Sequence, residues 1–216
     1  MPRWLKSSSS SSKRESKPGE AAAQAKVWPQ GEQIELQLLA GIREGRRGDF
    51  ESLYRIYHPR LQRFLHQLMR QSEAVEEVLN DTLMVVWQNG TAFDGRSKLS
   101  TWIFGIAYRK AMKALNRQDL PQEAVEGEEP ADPGPGPEAQ LSLAQLRVRM
   151  QQALGDLSFD HRAVVELCYF QEMAYAEIAQ IVGCGPETVK TRMFYARKRL
   201  RTLLADLAEV TDGERS

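Results

Sequence analysis

The stretch that decides the fold is YAEIAQIVGCGPETVKTRMFYARKRLRTLL, residues 175–204. Its apolar residues recur at helical spacing, first over eight residues and again after Pro186, and this predicts two amphipathic helices. Gly183 stands where a left-handed glycine ends a helix, and Pro186 stands where a missing N–H is tolerated at the start of the next helix. The stretch therefore predicts a helix-turn-helix.

The second helix of this motif has two chemically different faces. One narrow arc carries Val189, Met193, Ala196 and Leu200. The opposite arc carries Glu187, Thr191, Phe194, Tyr195 and Lys198. Because one face is apolar and the other polar and basic, the helix suits the major groove of DNA, where it would meet phosphates and base edges. The alternative is an amphipathic hairpin with a solvated basic face, and the short turn before a long basic helix favours DNA.

The composition is neutral, but its charge is segregated. The chain has 216 residues, a length sufficient for one large or two small domains. It contains 29 basic and 29 acidic side chains. Residues 1–31 hold six basic and two acidic residues, whereas residues 118–140 hold seven acidic residues and no basic one. Because binding depends on the local field, the neutral total does not argue against a nucleic-acid partner.

Several classes of protein are not expected from this sequence. Cys168 and Cys184 form no CxxC pair and have no histidine pair nearby, so neither zinc nor any other cofactor is expected. No apolar run approaches the roughly 20 residues that span a bilayer, and no secretory signal is present, which predicts a soluble cytoplasmic protein. An enzyme is the least expected class, because no paired carboxylates, activated nucleophile or phosphate-binding glycine loop can be found.

The chain divides into four predicted segments, and all of its periodic segments are helical. They are a disordered basic tail over 1–30, a helical domain over 31–117, a flexible acidic Pro/Gly linker over 118–140 and a helix-turn-helix domain over 141–210. The expected fold class is all-α, with two small helical domains. The expected helices cover 33–44, 49–57, 60–70, 72–87, 99–116, 141–154, 159–170, 174–182 and 186–206. Pro59 is expected to interrupt or kink the chain between the second and the third.

The helix LSTWIFGIAYRKAMKALNR, residues 99–117, interleaves aromatic and basic residues. Phe104 and Tyr108 are expected to point away from the apolar stripe, among Arg109 and Lys113. Aromatic rings beside cations suit unstacked bases. The alternative is that these rings belong to the core of a small helical domain, and the pattern alone favours that alternative.

With both halves placed, the chain resembles the sigma-70 family of RNA polymerase sigma factors, of the small two-domain extracytoplasmic-function type (ECF, group IV). LSFDHRAVVELCYFQEMAYAEIAQIVGCGPETVKTRMFYARKRLRTLL resembles sigma region 4, and DFESLYRIYHPRLQRFLHQLMRQSEAVEEVLNDTLMVVWQNG with FDGRSKLSTWIFGIAYRKAMKAL resembles sigma region 2. The resemblance implies a non-catalytic transcription initiation factor. Such a protein binds core polymerase, recognises the minus-35 and minus-10 promoter elements and melts the minus-10 duplex.

The resemblance also assigns roles to residues. The polymerase-binding helix matches Asp81, Thr82, Leu83, Val86 and Trp87. The minus-10 loop and melting surface match Phe93, Asp94, Gly95, Arg96, Ser97, Lys98, Trp102, Phe104, Tyr108, Arg109 and Lys113. The minus-35 recognition helix matches Thr188, Lys190, Thr191, Arg192, Phe194, Tyr195 and Lys198. Tyr195 departs from the family, which often has a basic residue at this position.

The partners implied by the resemblance are core RNA polymerase, through its beta-prime clamp and beta flap, promoter DNA and an anti-sigma factor. Two other functions remain open on the residues alone. One is a helix-turn-helix transcriptional regulator that acts without polymerase, against which the region 2 resemblance argues. The other is an interaction protein that binds polymerase without promoter activity, against which the basic recognition helix argues.

Overall fold

The computed structural model describes residues 29–69, 71–118 and 137–205, and within these ranges the chain is helical with no strand. The prediction of an all-α fold is confirmed. In this part of the chain the helices are α1 (Gln30–Arg43), α2 (Arg47–Leu68), α3 (Ser72–Asn89), α4 (Leu99–Gln118), α5 (Pro137–Gly155), α6 (Phe159–Tyr169), α7 (Tyr175–Val182) and α8 (Pro186–Leu203), with a 3₁₀ turn at Gly90–Ala92. No helix among the described residues is long and apolar enough to cross a membrane.

Helix α2 runs without a break through Pro59, so the prediction of two helices here is wrong. A proline inside a helix costs roughly 3 kcal/mol. Tyr57, Leu61 and Phe64 lie on either side of it and are fully buried against the neighbouring helices. Burial of each such side chain contributes about 2 kcal/mol, which offsets the local penalty.

The turn between α7 and α8 has the predicted chemistry. Gly183 ends α7 in the left-handed conformation, with φ +71° and ψ 36°. Its N–H and that of Cys184 both donate to the Ala179 carbonyl, at 3.0 and 3.1 Å. Pro186 is the first residue of α8. These bonds satisfy groups that a helix end leaves unpaired, and the predicted helix-turn-helix is confirmed.

The two halves of the chain pack against each other. Helix α4 lies along α7, α2 lies along α6, and the buried apolar residues of both halves form one continuous cluster. The Arg162 guanidinium also crosses between them, donating to the Gln67 carbonyl at 3.0 Å. Helix α5 begins at Pro137, inside the range 118–140 that is predicted as linker. The rest of that range beyond Gln118, and residues 1–28 of the tail, lie outside the described residues.

Candidate nucleic-acid interface

Helix α8 presents one continuous exposed face. Six of the seven residues predicted for the minus-35 element are exposed on it: Thr188, Lys190, Thr191, Phe194, Tyr195 and Lys198. Val189, Met193 and Ala196 are buried on the other side against the rest of the second half. The burial of one stripe fixes the direction in which the exposed face points.

Arg192, the seventh predicted residue, turns inward instead. Its guanidinium lies 2.5 Å from Asp160 Oδ2 on α6. The other oxygen of the Asp160 carboxylate accepts a hydrogen bond from the Tyr108 hydroxyl of α4, at 3.0 Å. One carboxylate therefore ties the recognition helix to the first half of the chain. Burial, followed by the nearby Asp160 charge, raises the pKa of Tyr108.

The predicted minus-10 loop has an exposed tip. Asp94, Gly95 and Arg96 are exposed, and the Arg96 side chain is 90% accessible. The Arg96 N–H donates to Asp94 Oδ1 at 3.0 Å, and Gly95 has φ +75°. The side-chain bond and the glycine shape a tight turn that presents its residues to solvent.

Helix α1 holds this loop at both ends. Arg43 donates from Nε to the Gly90 carbonyl at 3.0 Å, and from its terminal nitrogen to the Phe93 carbonyl at 2.7 Å. Lys98, at the other end, lies 3.1 Å from Glu32 of α1 and 3.1 Å from Glu177 of α7. These two carboxylates raise the pKa of Lys98, Glu177 more than Glu32.

Sequence reasoning missed Arg43 and Glu32. No local pattern connects them to the loop, because the contacts of Arg43 span 47 and 50 residues of chain. The only signal in the sequence was that Arg43 is a cation at the end of a predicted helix, where such side chains commonly donate to free carbonyl groups.

The aromatic residues of α4 are not placed as expected. Phe104 and Tyr108 are buried rather than exposed among the basic residues. Phe104 packs edge-on against Phe64, with 5.2 Å between ring centroids, and Tyr108 lies 5.3 Å from Phe159 of α6. The expectation of exposure is wrong because α4 is covered by α2 and α3 from its own half and by α7 from the other.

The remaining residues of this surface differ in exposure. Phe93 is buried, and Trp102 is half-buried against it at 5.6 Å between ring centroids. Arg109 and Lys113 are exposed on α4, as expected. Ser97 is half-buried beside Lys98. The structure therefore brings together an exposed basic surface with partly covered aromatic residues beneath it.

The predicted polymerase-binding residues also differ in exposure. Asp81 is exposed and lies 2.7 Å from Lys110 of α4. Thr82, Leu83 and Val86 are buried on the inner side of α3, where the Thr82 hydroxyl donates to the Val78 carbonyl. Trp87 is half-buried and lines a groove between α2 and α3 with Phe50, Tyr54 and the half-exposed Met84.

A buried acid lies where α6 meets α2. Glu166 is 2% exposed, and Arg63 Nε of α2 lies 3.7 Å from its carboxylate. The Arg63 guanidinium also lies over the Phe170 ring, 4.1 Å from its centroid. Burial raises the pKa of Glu166 to about 7, although the charge of Arg63 acts in the opposite direction.

Both halves match models of one protein family. Residues 53–120 match Sigma-70 region 2, and residues 147–200 match Sigma-70, region 4. The chain is 29% identical over 168 residues to the ECF RNA polymerase sigma factor RpoE of Cereibacter sphaeroides, covering 76% of this chain and 91% of that protein.

Solved structures of relatives have a similar fold. The sigma factor RpoE of Bartonella quintana, in complex with the anti-sigma factor NepR, is 28% identical, with a TM-score of 0.56 over 73% of this chain and 97% of that one. CnrH, in complex with the cytosolic domain of CnrY, is similar in fold alone, at 22% identity and a TM-score of 0.59 over 80% and 98% of the chains.

Two regions of one family, in the family's order and on an all-helical fold, define this chain as a two-part transcription factor. The chain belongs to the sigma-70 family of RNA polymerase sigma factors, in its extracytoplasmic-function group. It is a transcription initiation factor, and members of this family are not enzymes in the usual sense.

Proposed function

We propose that this sigma factor reads both promoter elements with the surfaces described above while bound to core polymerase. The observation that carries the proposal is the exposed face of α8, which consists of six residues opposite a buried stripe. An exposed polar and basic face on the second helix of a helix-turn-helix is the arrangement that enters the major groove. Lys190 and Lys198 supply charge for phosphates, and the exposed threonine and aromatic residues of the face lie near base edges.

The loop at Phe93–Lys98 and the exposed part of α4 form the proposed minus-10 surface. Arg96 at the loop tip, with Arg109 and Lys113 on α4, would attract the separated strand. Trp102 offers a partly exposed ring for stacking with an unstacked base. Phe93 and Phe104 support this surface from beneath. Tyr108 becomes available to DNA only when α6 moves away.

The groove between α2 and α3 is the proposed contact with the beta-prime clamp of polymerase. Asp81, Met84 and Trp87 form its accessible part, while Thr82, Leu83 and Val86 fix the position of α3 from the inside. An apolar groove bordered by a charge is typical of protein interfaces. The second domain, 141–210, would bind the beta flap of polymerase. The first domain, 31–117, would bind the beta-prime clamp and the minus-10 element.

An anti-sigma factor is a further proposed partner. A structurally similar sigma factor, RpoE of Bartonella quintana, was solved in complex with the anti-sigma factor NepR. A sigma factor acts where polymerase is, so we place this chain in the bacterial cytoplasm.

Run-off transcription tests the proposal. Purified core polymerase is incubated with a fragmented genomic library, with and without this chain. Transcripts that appear only with the chain give both promoter elements from their upstream sequences. Binding to duplex DNA without any new transcript would instead support a helix-turn-helix regulator that acts without polymerase.

A charge-matched pair of variants tests the recognition face. Lys190→Gln should weaken transcription from these promoters about fivefold to tenfold, because one phosphate contact is lost. Arg55→Gln removes the same charge from α2, where Arg55 pairs with Glu51 on the exposed surface, and should transcribe as the wild type does. Equal loss in both variants would show that total charge matters and that the α8 face does not.

A further inference from the structure

Phe194 and Tyr195 form an exposed aromatic pair on α8. Their side chains are 63% and 53% exposed, and Phe194 is the most exposed large apolar residue among the described residues. The rings meet edge to face, with centroids 5.5 Å apart and an interplanar angle of 76°. Two adjacent exposed rings leave apolar surface in water, which marks a site of interaction.

The two rings flank the centre of the recognition face. At 100° per residue, Phe194 and Tyr195 lie on either side of Thr191 and Lys198, opposite the buried Met193. Basic residues border this centre on both sides: Lys190 and Arg201 beyond Phe194, and Arg199 beyond Tyr195. Cations at both margins complement the two phosphate walls of a major groove, with the rings between them aimed at base edges.

Neither ring position carries the arginine or lysine that usually selects guanine. Arginine reads guanine by two hydrogen bonds to O6 and N7. Arg192 is committed to Asp160 at 2.5 Å, with its side chain only 24% exposed. The rings can make apolar contacts, and the only apolar group on a base edge in the major groove is the thymine C5-methyl.

We propose that Phe194 and Tyr195 recognise thymine methyl groups in the minus-35 element, so that this protein selects thymines rather than guanines beneath the two rings. The inference rests on the proposed function, since it requires α8 to enter the minus-35 major groove. The ligand class is a duplex with thymines at neighbouring positions, on one strand or across it.

Replacing thymine by uracil tests the contact directly. Uracil keeps the base pair and the O4 acceptor and lacks only the methyl group. The holoenzyme is assembled with the full chain on a promoter obtained by run-off transcription, and each minus-35 thymine is replaced in turn. Abortive initiation at subsaturating holoenzyme should fall about fourfold at one or two positions, because one buried methyl is lost at each.

Variants of the two rings assign the contact to these residues. Phe194→Ala and Tyr195→Ala should initiate less on the thymine promoter and no longer distinguish thymine from uracil at the matching position. Phe194→Leu should retain part of the distinction, because it keeps an apolar group. Lys198→Ala is the matched control on the same face, since it should weaken both templates equally. Thermal melting checks that the exposed truncations leave the fold intact.

Two results would overturn the inference. One is equal initiation on thymine and uracil templates at every minus-35 position. The other is ring variants that lose initiation but keep the wild-type ratio between templates, including variants that no longer co-elute with core polymerase, because the rings would then contact protein. Absence of any transcript dependent on the chain would reject the proposed function itself and is seen before any template is altered.

Discussion

Glu166 shows how one residue makes the folded chain sensitive to pH. Its carboxylate is buried, while the nearest cation, Arg63, lies mostly in solvent at 3.7 Å. Ionising such a group in the folded chain is unfavourable, because burial removes water that the charge of Arg63 replaces only in part.

The expected result is a loss of stability as pH rises. The ordinary pKa of 4.5 applies to Glu166 in the unfolded chain, and its folded-state pKa is about 7. Between these values the folded state binds the proton and the unfolded state does not. The contribution of Glu166 to the free energy of unfolding should therefore fall by about 1.4 kcal/mol per pH unit there, and be constant below and above.

Urea unfolding of wild type and Glu166→Gln from pH 4 to pH 8.5 measures this contribution as the difference between the two curves. Glu166→Gln should be more stable than wild type at pH 8 by about 1–3 kcal/mol, because it removes a buried charge. Glu51→Gln, in an exposed carboxylate of α2, should keep the wild-type slope. Parallel curves for Glu166→Gln and wild type would contradict the buried-charge explanation.

At the scale of elements, α1 positions a loop that lies far from it in the sequence. An apolar side chain of similar length cannot replace Arg43, because its planar guanidinium donates to the Gly90 and Phe93 carbonyls at the same time. These carbonyls follow the end of α3, where the helix itself supplies no donors.

Arg43→Met should impair promoter melting while leaving minus-35 recognition unchanged. Loss of two hydrogen bonds of about 1 kcal/mol each should reduce open-complex formation about thirtyfold. Permanganate reactivity of minus-10 thymines measures melting, and footprinting of the minus-35 element in the same complexes measures recognition. Arg43→Lys should recover part of the activity, since lysine reaches one carbonyl. Wild-type melting of the minus-10 duplex by Arg43→Met would show that the loop does not need the hydrogen bonds from Arg43.

The elements also show what the sequence could predict. The helix-turn-helix was predictable because Gly183 and Pro186 act through local backbone geometry. The exposed face of α8 followed from helical periodicity. The helical pattern also favoured burial of Phe104, the alternative that the structure bears out. The continuity of α2 through Pro59 and the contacts of Arg43 with the loop depend on other helices. Local patterns contain no information on contacts that distant segments make.

At the scale of the whole molecule, Asp160 joins the two halves through Tyr108 and Arg192. The bond to Tyr108 crosses from the second half to the first, so its removal should weaken their packing. Tyr108→Phe and Asp160→Asn should each cost about 1 kcal/mol in the free energy of unfolding, and the double variant should cost less than the sum.

The coupling in this double-mutant cycle should be about 1 kcal/mol. Tyr108→Phe combined with Asp94→Asn is the control, because Asp94 lies in the exposed loop and makes its hydrogen bond with Arg96. That pair should be additive. Additivity of Tyr108→Phe and Asp160→Asn would show that the 3.0 Å contact contributes nothing to stability.

Because one apolar core runs through α4 and α7, promoter opening by this protein should depend on temperature in a particular way. A partner that needs the covered face of α4 binds only molecules whose halves have separated, so its apparent affinity is the intrinsic affinity scaled by that fraction. Separation of the two halves transfers apolar surface into water, and its heat-capacity change is therefore positive. The separated fraction then passes through a minimum near the temperature at which the closed packing is most stable. Transcription that depends on this chain should consequently respond to warming along a curve rather than along a straight Arrhenius line.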